Sequence, residues 1–189
     1  MKETIDCIMN RRSIRAYKDE QIKEEELQNI LLAGMHAPSA MNQQSWHFTV
    51  IQNRKTLEML NLSCIKYMNF IDKFFNKTIQ EKSELENYHV FFHAPTLIIV
   101  SCDMKYNLSC VDCAAALENM LVAATSMDIG SCWISATANL FKTKRGESLM
   151  DELCIPKGFK PLYSAVFGYK SIESQKVTPR KNNVVNYLR

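Results

Sequence analysis

Apolar side chains recur along this chain in two periods. From Asp112 to Met127 the positions Leu117, Met120, Leu121 and Ala124 repeat at intervals of three and four. That spacing predicts a long amphipathic helix, and small residues Ala114–Ala116 would let a neighbour approach closely. A second helix is predicted over residues 23–36, with Leu27, Ile30 and Leu31 on one face. Its early glutamates suit the positive end of the helix dipole, and Pro38 follows as a stop. A short helix over residues 4–10 would be capped by Thr4 and carry Ile5, Ile8 and Met9 on its apolar face. Lys55 to Leu62 and Lys144 to Leu153 read as further helices. Strands are predicted over His47 to Ile51, from Pro95 through a continuous apolar run, and from Leu162. Gly130 is expected to end the turn after the long helix. Residues 63–92 mix aromatic residues (Tyr67, Phe70, Phe74, Phe75, Tyr88, Phe91, Phe92) with lysines and glutamates. They predict one or two helices with an exposed apolar side. Strands and helices do not alternate regularly, so the class expected is α+β rather than a doubly wound sheet.

Composition narrows the picture. At 189 residues, with 47% hydrophobic and 23% charged side chains, the chain reads as one globular domain over 1–189 and not as a disordered protein. No apolar run approaches the ~18 residues of a membrane span, so no membrane partner is expected. The first fifteen residues are charged from Lys2 onward and hold no apolar signal core. The seven cysteines, an odd number, read as reduced thiols, and the expected location is cytoplasmic. A net charge of +3 is too mild to imply nucleic acid. The cations cluster locally instead, at Arg11, Arg12 and Arg15 and again at Arg180 and Lys181, which favours a small anionic ligand.

The common glycine-rich phosphate loops, the nucleophile elbow and the paired-histidine zinc helix are absent from this sequence. Cys110 and Cys113 form a lone C-x-x-C. A zinc or iron–sulfur site needs further ligands at recognisable spacing. His89 and His93 would share a metal only if helical. No metal site is therefore expected. The R-R-S-I-R run from Arg11 to Arg15 is either an anion site, since Arg offers a fixed fork of donors to phosphate oxygens, or a solvated face. The loop Ala37 to Trp46 gathers Pro38, Ser39, Asn42 and Gln44, whose amides present donors and acceptors to a heteroaromatic edge.

Taken in order, these segments resemble the FMN-dependent nitroreductase family. R-R-S-I-R-A-Y-K is similar to its N-terminal signature, and A-P-S-A-M-N-Q-Q-S-W-H-F to its second loop. F-F-H-A-P-T-L-I-I-V, D-C-A-A-A-L-E-N-M-L-V-A-A and I-G-S-C-W-I resemble its Ala-Pro strand, its central helix and the segment after it. Ser45 stands where the family loop has proline, and a looser loop is expected there.

The resemblance implies a three-layer sandwich, a mostly antiparallel mixed sheet flanked by helices, in a swapped homodimer. It implies FMN as cofactor, NAD(P)H as donor, and a nitroaromatic, quinone or similar small acceptor served by a ping-pong cycle. Arg11, Arg12, Ser13 and Arg15 would hold the phosphate and the pyrimidine edge. Pro38, Ser39, Asn42 and Gln44 would line the flavin across the dimer interface. Ile134, Ser135 and Ala136 would approach N5, and Arg180 with Lys181 would complete the phosphate site. No protein residue would be catalytic in its own right, because the cofactor carries the electrons. The cysteines are expected to be uninvolved. Cys132 in particular has no cation adjacent in sequence, and Asp112 opposes a thiolate at Cys110 or Cys113. The competing readings are a same-fold enzyme with another reaction, flavin fragmentation or reductive dehalogenation, and a non-enzymatic flavin-binding protein.

Overall fold

The computed structural model describes residues 3–74, 88–172 and 179–189. Its sheet has the strands β1 (Trp46–Ile51), β2 (Thr96–Asp103), β3 (Ile129–Trp133) and β4 (Phe159–Tyr169), ordered β1-β2-β4-β3 with every neighbouring pair antiparallel. The helices are α1 (Thr4–Asn10), α2 (Glu24–Met35), α3 (Arg54–Phe74), α4 (Ser109–Ser126), α5 (Ala136–Leu140) and α6 (Lys144–Glu152).

The continuous apolar run of β2 has a simple cause: the strand is buried on both faces, from Thr96 to Cys102. Side chains alternate across a strand. Leu97 and Ile99 enter one core with Leu57 and Leu60 of α3, Leu140 of α5 and Leu149 of α6. Ile98, Val100 and Cys102 enter the other with Leu27 and Ile30 of α2 and Leu117, Met120 and Leu121 of α4. The arrangement is helices, sheet, helices, which is the α+β sandwich expected. The predicted face of α4 is the buried one. Gly34 lies where a Cβ would come within 2.3 Å of the Met120 side chain, and Asn119 Nδ2 donates to Ala33 O at 3.1 Å, so α2 and α4 pack tightly. Pro161 lies opposite Ser101 beside the bulge between Val100 and Ser101, where Leu162 is the extra residue of β4.

The structure corrects several boundaries and one turn. α4 starts at Ser109, placing Cys110 and Cys113 within the helix, and α3 continues from the expected 55–62 segment to Phe74. Residues 75–87 of the aromatic-rich 63–92 stretch lie outside the described residues. Residues 90–93 form a turn rather than helix, with Phe92 and His93 at positive φ. Gly130 does not end a turn; it lies inside β3. The turn is carried by Asp128 at φ 62. α1 buries Cys7, whereas its expected apolar face, Ile5, Ile8 and Met9, is exposed within this chain.

Candidate functional site

Gly130 explains how the basic run reaches the sheet. A Cβ there would meet Ile14 Cγ2 at 3.1 Å, so the glycine lets the strand after α1 lie against β3. Ile14 N donates to Ser131 O at 2.9 Å, and Ser13 and Ser131 form a parallel bridge. Farther along, Tyr17 bridges Lys170, Lys18 N donates to Tyr169 O at 2.9 Å, and Tyr17 Oη donates to Ile14 O at 2.6 Å. Ser13 and Ile14 thereby lie along the open edge at β3, while Tyr17 and Lys18 reach the end of β4.

This seam sets the three guanidiniums. Arg11 follows α1 and its half-buried side chain holds Nε 3.7 Å from Oε1 of exposed Glu118. Arg12 turns Nη1 back to Met9 O at 2.9 Å and Arg11 O at 2.6 Å, while its Nε and Nη2 are enclosed with no hydrogen-bond partner. Arg15 is exposed and holds its guanidinium 5.9 Å from the centre of the Phe92 ring.

Cys132 lies on the neighbouring strand and is buried. Burial pushes its thiol up, against the pull of Arg15, a hydrogen bond with Ser13 and the charge of Arg11. The expectation of no adjacent cation is therefore corrected: two arginines face this sulfur through space. Desolvation still outweighs them. Cys113 is pushed up as well, by its bond with Cys102 and by burial, and Asp112 opposes a thiolate at both sulfurs. The C-x-x-C does not act as a pair, because Cys113 is sealed against Ser101 O while Cys110 is half-buried.

Ile134, Ser135 and Ala136 continue from β3 into α5. Ile134 N donates to Ser164 O at 2.8 Å, and the Ser164 hydroxyl donates to Ile134 O at 3.0 Å. Ile134 is buried, whereas Ser135 is exposed.

The second loop is ordered by a residue that sequence reasoning assigned no such role. Asp112, buried in the first turn of α4, accepts Ala40 N at 3.1 Å through Oδ1 and the Ser45 hydroxyl at 2.9 Å through Oδ2. Ser45 therefore does not loosen the loop; its hydroxyl ties it down. Within the loop Gln44 N donates to Ser39 Oγ at 3.0 Å and Gln44 Nε2 to Asn42 Oδ1 at 3.1 Å. Met41, Asn42 and Gln44 all have positive φ. Pro38, Asn42 and Gln44 are exposed and Ser39 is half-buried.

The structure thus brings Arg11, Ser13 and Arg15 to β3, with Arg12 turned toward α1, and gathers Ser39, Asn42 and Gln44 in the loop that Asp112 of α4 ties down through Ala40 and Ser45. No hydrogen bond or ion pair among the described residues joins these two groups within one chain. Arg180 and Lys181 are exposed in the tail and make no hydrogen bond or ion pair among the described residues.

The rings of His89 and His93 lie with centres 4.1 Å apart, tilted by 37°. No group of three or more His, Cys, Asp or Glu side chains suited to a metal ion occurs among the described residues. No described helix is long and apolar enough to cross a membrane.

Comparison with known proteins places these features in context. A sequence model described as the nitroreductase family matches residues 8–169. A crystal structure of a nitroreductase with bound FMN from Bacteroides fragilis is 34% identical, with a TM-score of 0.85 and full coverage of both chains. One from Desulfitobacterium hafniense, also with bound FMN, is 27% identical at the same TM-score and coverage. An FMN reductase [NAD(P)H] of Bacillus subtilis is 26% identical, covering 99% of this chain and 74% of the relative.

Proposed function

This chain belongs to the nitroreductase family, and on that premise we infer that it is an FMN-dependent NAD(P)H oxidoreductase. The observation that carries the reading is the seam of Ser13 and Ile14 along β3, which sets the charges of Arg11 and Arg15 and a serine hydroxyl beside Cys132 of that strand, with Arg12 turned back toward α1. That donor set suits a phosphate, and the two unmatched donors of Arg12 add capacity for an anion.

When bound, FMN supplies the redox step, taking hydride from NAD(P)H and passing electrons to an acceptor. Arg11, Arg12 and Ser13 hold the phosphate end. Arg15, resting on Phe92, would hold a positive charge beside the flavin and so favour its reduced, more negative form. The backbone of Ile134, Ser135 and Ala136, where β3 runs into α5, would line the flavin ring. The acceptor would be a small nitroaromatic or quinone-like molecule, reduced after NAD(P)H has left in a ping-pong cycle. A cytoplasmic location belongs to the same reading, supported by the odd number of cysteines, and cell fractionation tests it.

The test is anaerobic addition of NADH or NADPH to the purified yellow protein. Rapid bleaching, followed by reoxidation with a nitroaromatic or a quinone, is expected. Flavin that stays oxidised would overturn the enzyme reading in favour of simple flavin binding. Rapid bleaching with slow turnover on every such acceptor would point to another reaction on the same fold.

The active unit is a homodimer. Ile5, Ile8 and Met9 of α1, Met41 of the loop at 90% exposure, and Val184, Val185, Tyr187 and fully exposed Leu188 of the tail leave more apolar surface open than a monomer normally carries. Pairing would let Pro38, Ser39, Asn42 and Gln44 of one subunit meet the arginines of the other, and bring Arg180 and Lys181 to the phosphate. Sedimentation at micromolar concentration should give twice the 21.8 kDa chain mass; a folded, flavin-loaded monomer would refute the dimer.

A further inference from the structure

The turn that presents Phe92 to Arg15 is held by an unusual acceptor. His89 Nδ1 receives Phe91 N at 3.1 Å and His93 N at 3.3 Å, and His89 O receives Phe92 N at 2.9 Å. Asn61, buried on α3, accepts the neighbouring Val90 N at 2.9 Å. Phe92 and His93 are both at positive φ, a costly conformation for residues with side chains, so the turn depends on these bonds. Two N–H groups pointing at Nδ1 require that nitrogen to be unprotonated, with the ring proton on Nε2. Nε2 in turn lies 3.4 Å from Glu58 Oε2.

We propose that His89 is a positioning residue for the flavin site: as a neutral acceptor it holds the turn that seats Phe92 beneath Arg15, and its protonation releases that arginine. This rests on the reading of Arg15 as an FMN ligand. A proton on Nδ1 would set a donor against two donors, and neither backbone bond could survive. His93, its tilted ring 4.1 Å from that of His89, opposes the added charge. Glu58 favours it. Asp19 and Arg54 line the same cleft with opposite signs. The sum of burial, the strongest influence, and His93 against Glu58 leaves His89 below the ordinary histidine value of 6.5. A depressed histidine costs stability once the unfolded chain begins to protonate. Stability therefore starts to fall as pH drops below about 6.5, where the unfolded chain takes up the proton, and the turn itself opens at the lower pH at which the folded ring protonates.

The experiment measures FMN dissociation constants at about pH 8 and about pH 5.5, with thermal unfolding of the flavin-free protein over the same range. Asparagine places Oδ1 where histidine has Nδ1 and does not protonate. His89→Asn should match the parent at the higher pH and lose less affinity at the lower one, by about two- to fivefold, the size of an exposed cation–π contact. His89→Leu should bind about two- to fivefold more weakly at both pH values. Phe92→Leu should do the same and erase the difference between histidine and asparagine at position 89. The phosphate's own titration is common to all variants and cancels. His89→Asn with the parent's full pH dependence, or His89→Leu with the parent's affinity at the higher pH, would overturn the proposal. A parent protein that fails to bind FMN at about pH 8 would instead overturn the flavin reading. Should His89→Leu fail to fold, the comparison of parent with His89→Asn and Phe92→Leu still decides.

Discussion

Asp112→Ala is expected to cost about 2–4 kcal/mol of stability and to free the loop over residues 38–45. Asp112 is buried and serves two donors at once, Ala40 N and the Ser45 hydroxyl, from elements 72 and 67 residues away in sequence. Alanine leaves both donors unmatched in a dry setting, and each then pays its own desolvation. The carboxylate also sits in the first turn of α4, where a negative charge is favourable, so its loss weakens the helix start as well. In a chain of this size the melting temperature should fall by about 5–15 °C. Asp112→Asn keeps one acceptor and should fall less, and Ser45→Ala, which removes a single bond, less again. Calorimetry checks the order. A melting point for Asp112→Ala within about 2 °C of the parent would show that the two bonds do not hold the loop. Because the loop carries Ser39, Asn42 and Gln44, the same variant should also retain flavin poorly after dialysis.

Removing either outer guanidinium of the basic run should weaken FMN binding about tenfold or more. Charge-assisted contacts contribute on the order of 1.5–3 kcal/mol, and each 1.4 kcal/mol is a factor of ten. Arg11 is available for such a contact because its pairing with Glu118 spans 3.7 Å and Glu118 is 54% exposed. A pair of that kind contributes little by itself and yields readily to a better anion. Arg15 is exposed and oriented by Phe92 rather than by an acid. Arg11→Ala and Arg15→Ala should each show the loss in a flavin-fluorescence titration with unchanged melting of the flavin-free protein. If the two act independently, the double variant should lose about a hundredfold. Full flavin occupancy of Arg15→Ala after dilution and dialysis would remove that arginine from the site. Arg12 differs, since its Nη1 already caps Met9 O and Arg11 O. Its replacement should disturb the end of α1 as well as the flavin.

Much of this molecule was legible from short-range pattern alone. Helix α4, helix α2 and strands β1, β2 and β4 follow from spacings within a few residues of one another, because a helix or strand must turn its apolar side chains to one core or to two. The basic run and the polar loop were legible as chemistry for the same reason: their residues are neighbours in sequence. What sequence could not supply were relations across the chain. β3 was missed because its five residues become a strand only by pairing with β4, and Gly130, read as a turn residue, is there to admit Ile14. Sequence places no cation beside Cys132, because the arginines that act on its sulfur, Arg11 and Arg15, lie more than a hundred residues earlier and reach it only through the seam along β3. Asp112 was read for its charge on nearby thiols, while its hydrogen bonds anchor a loop on a different element. Periodicity is written in local sequence because each element must bury its own face. The partners of a buried carboxylate, a strand edge or a histidine nitrogen are decided only when the sheet closes between its two helical layers and fixes which distant groups share the same dry space.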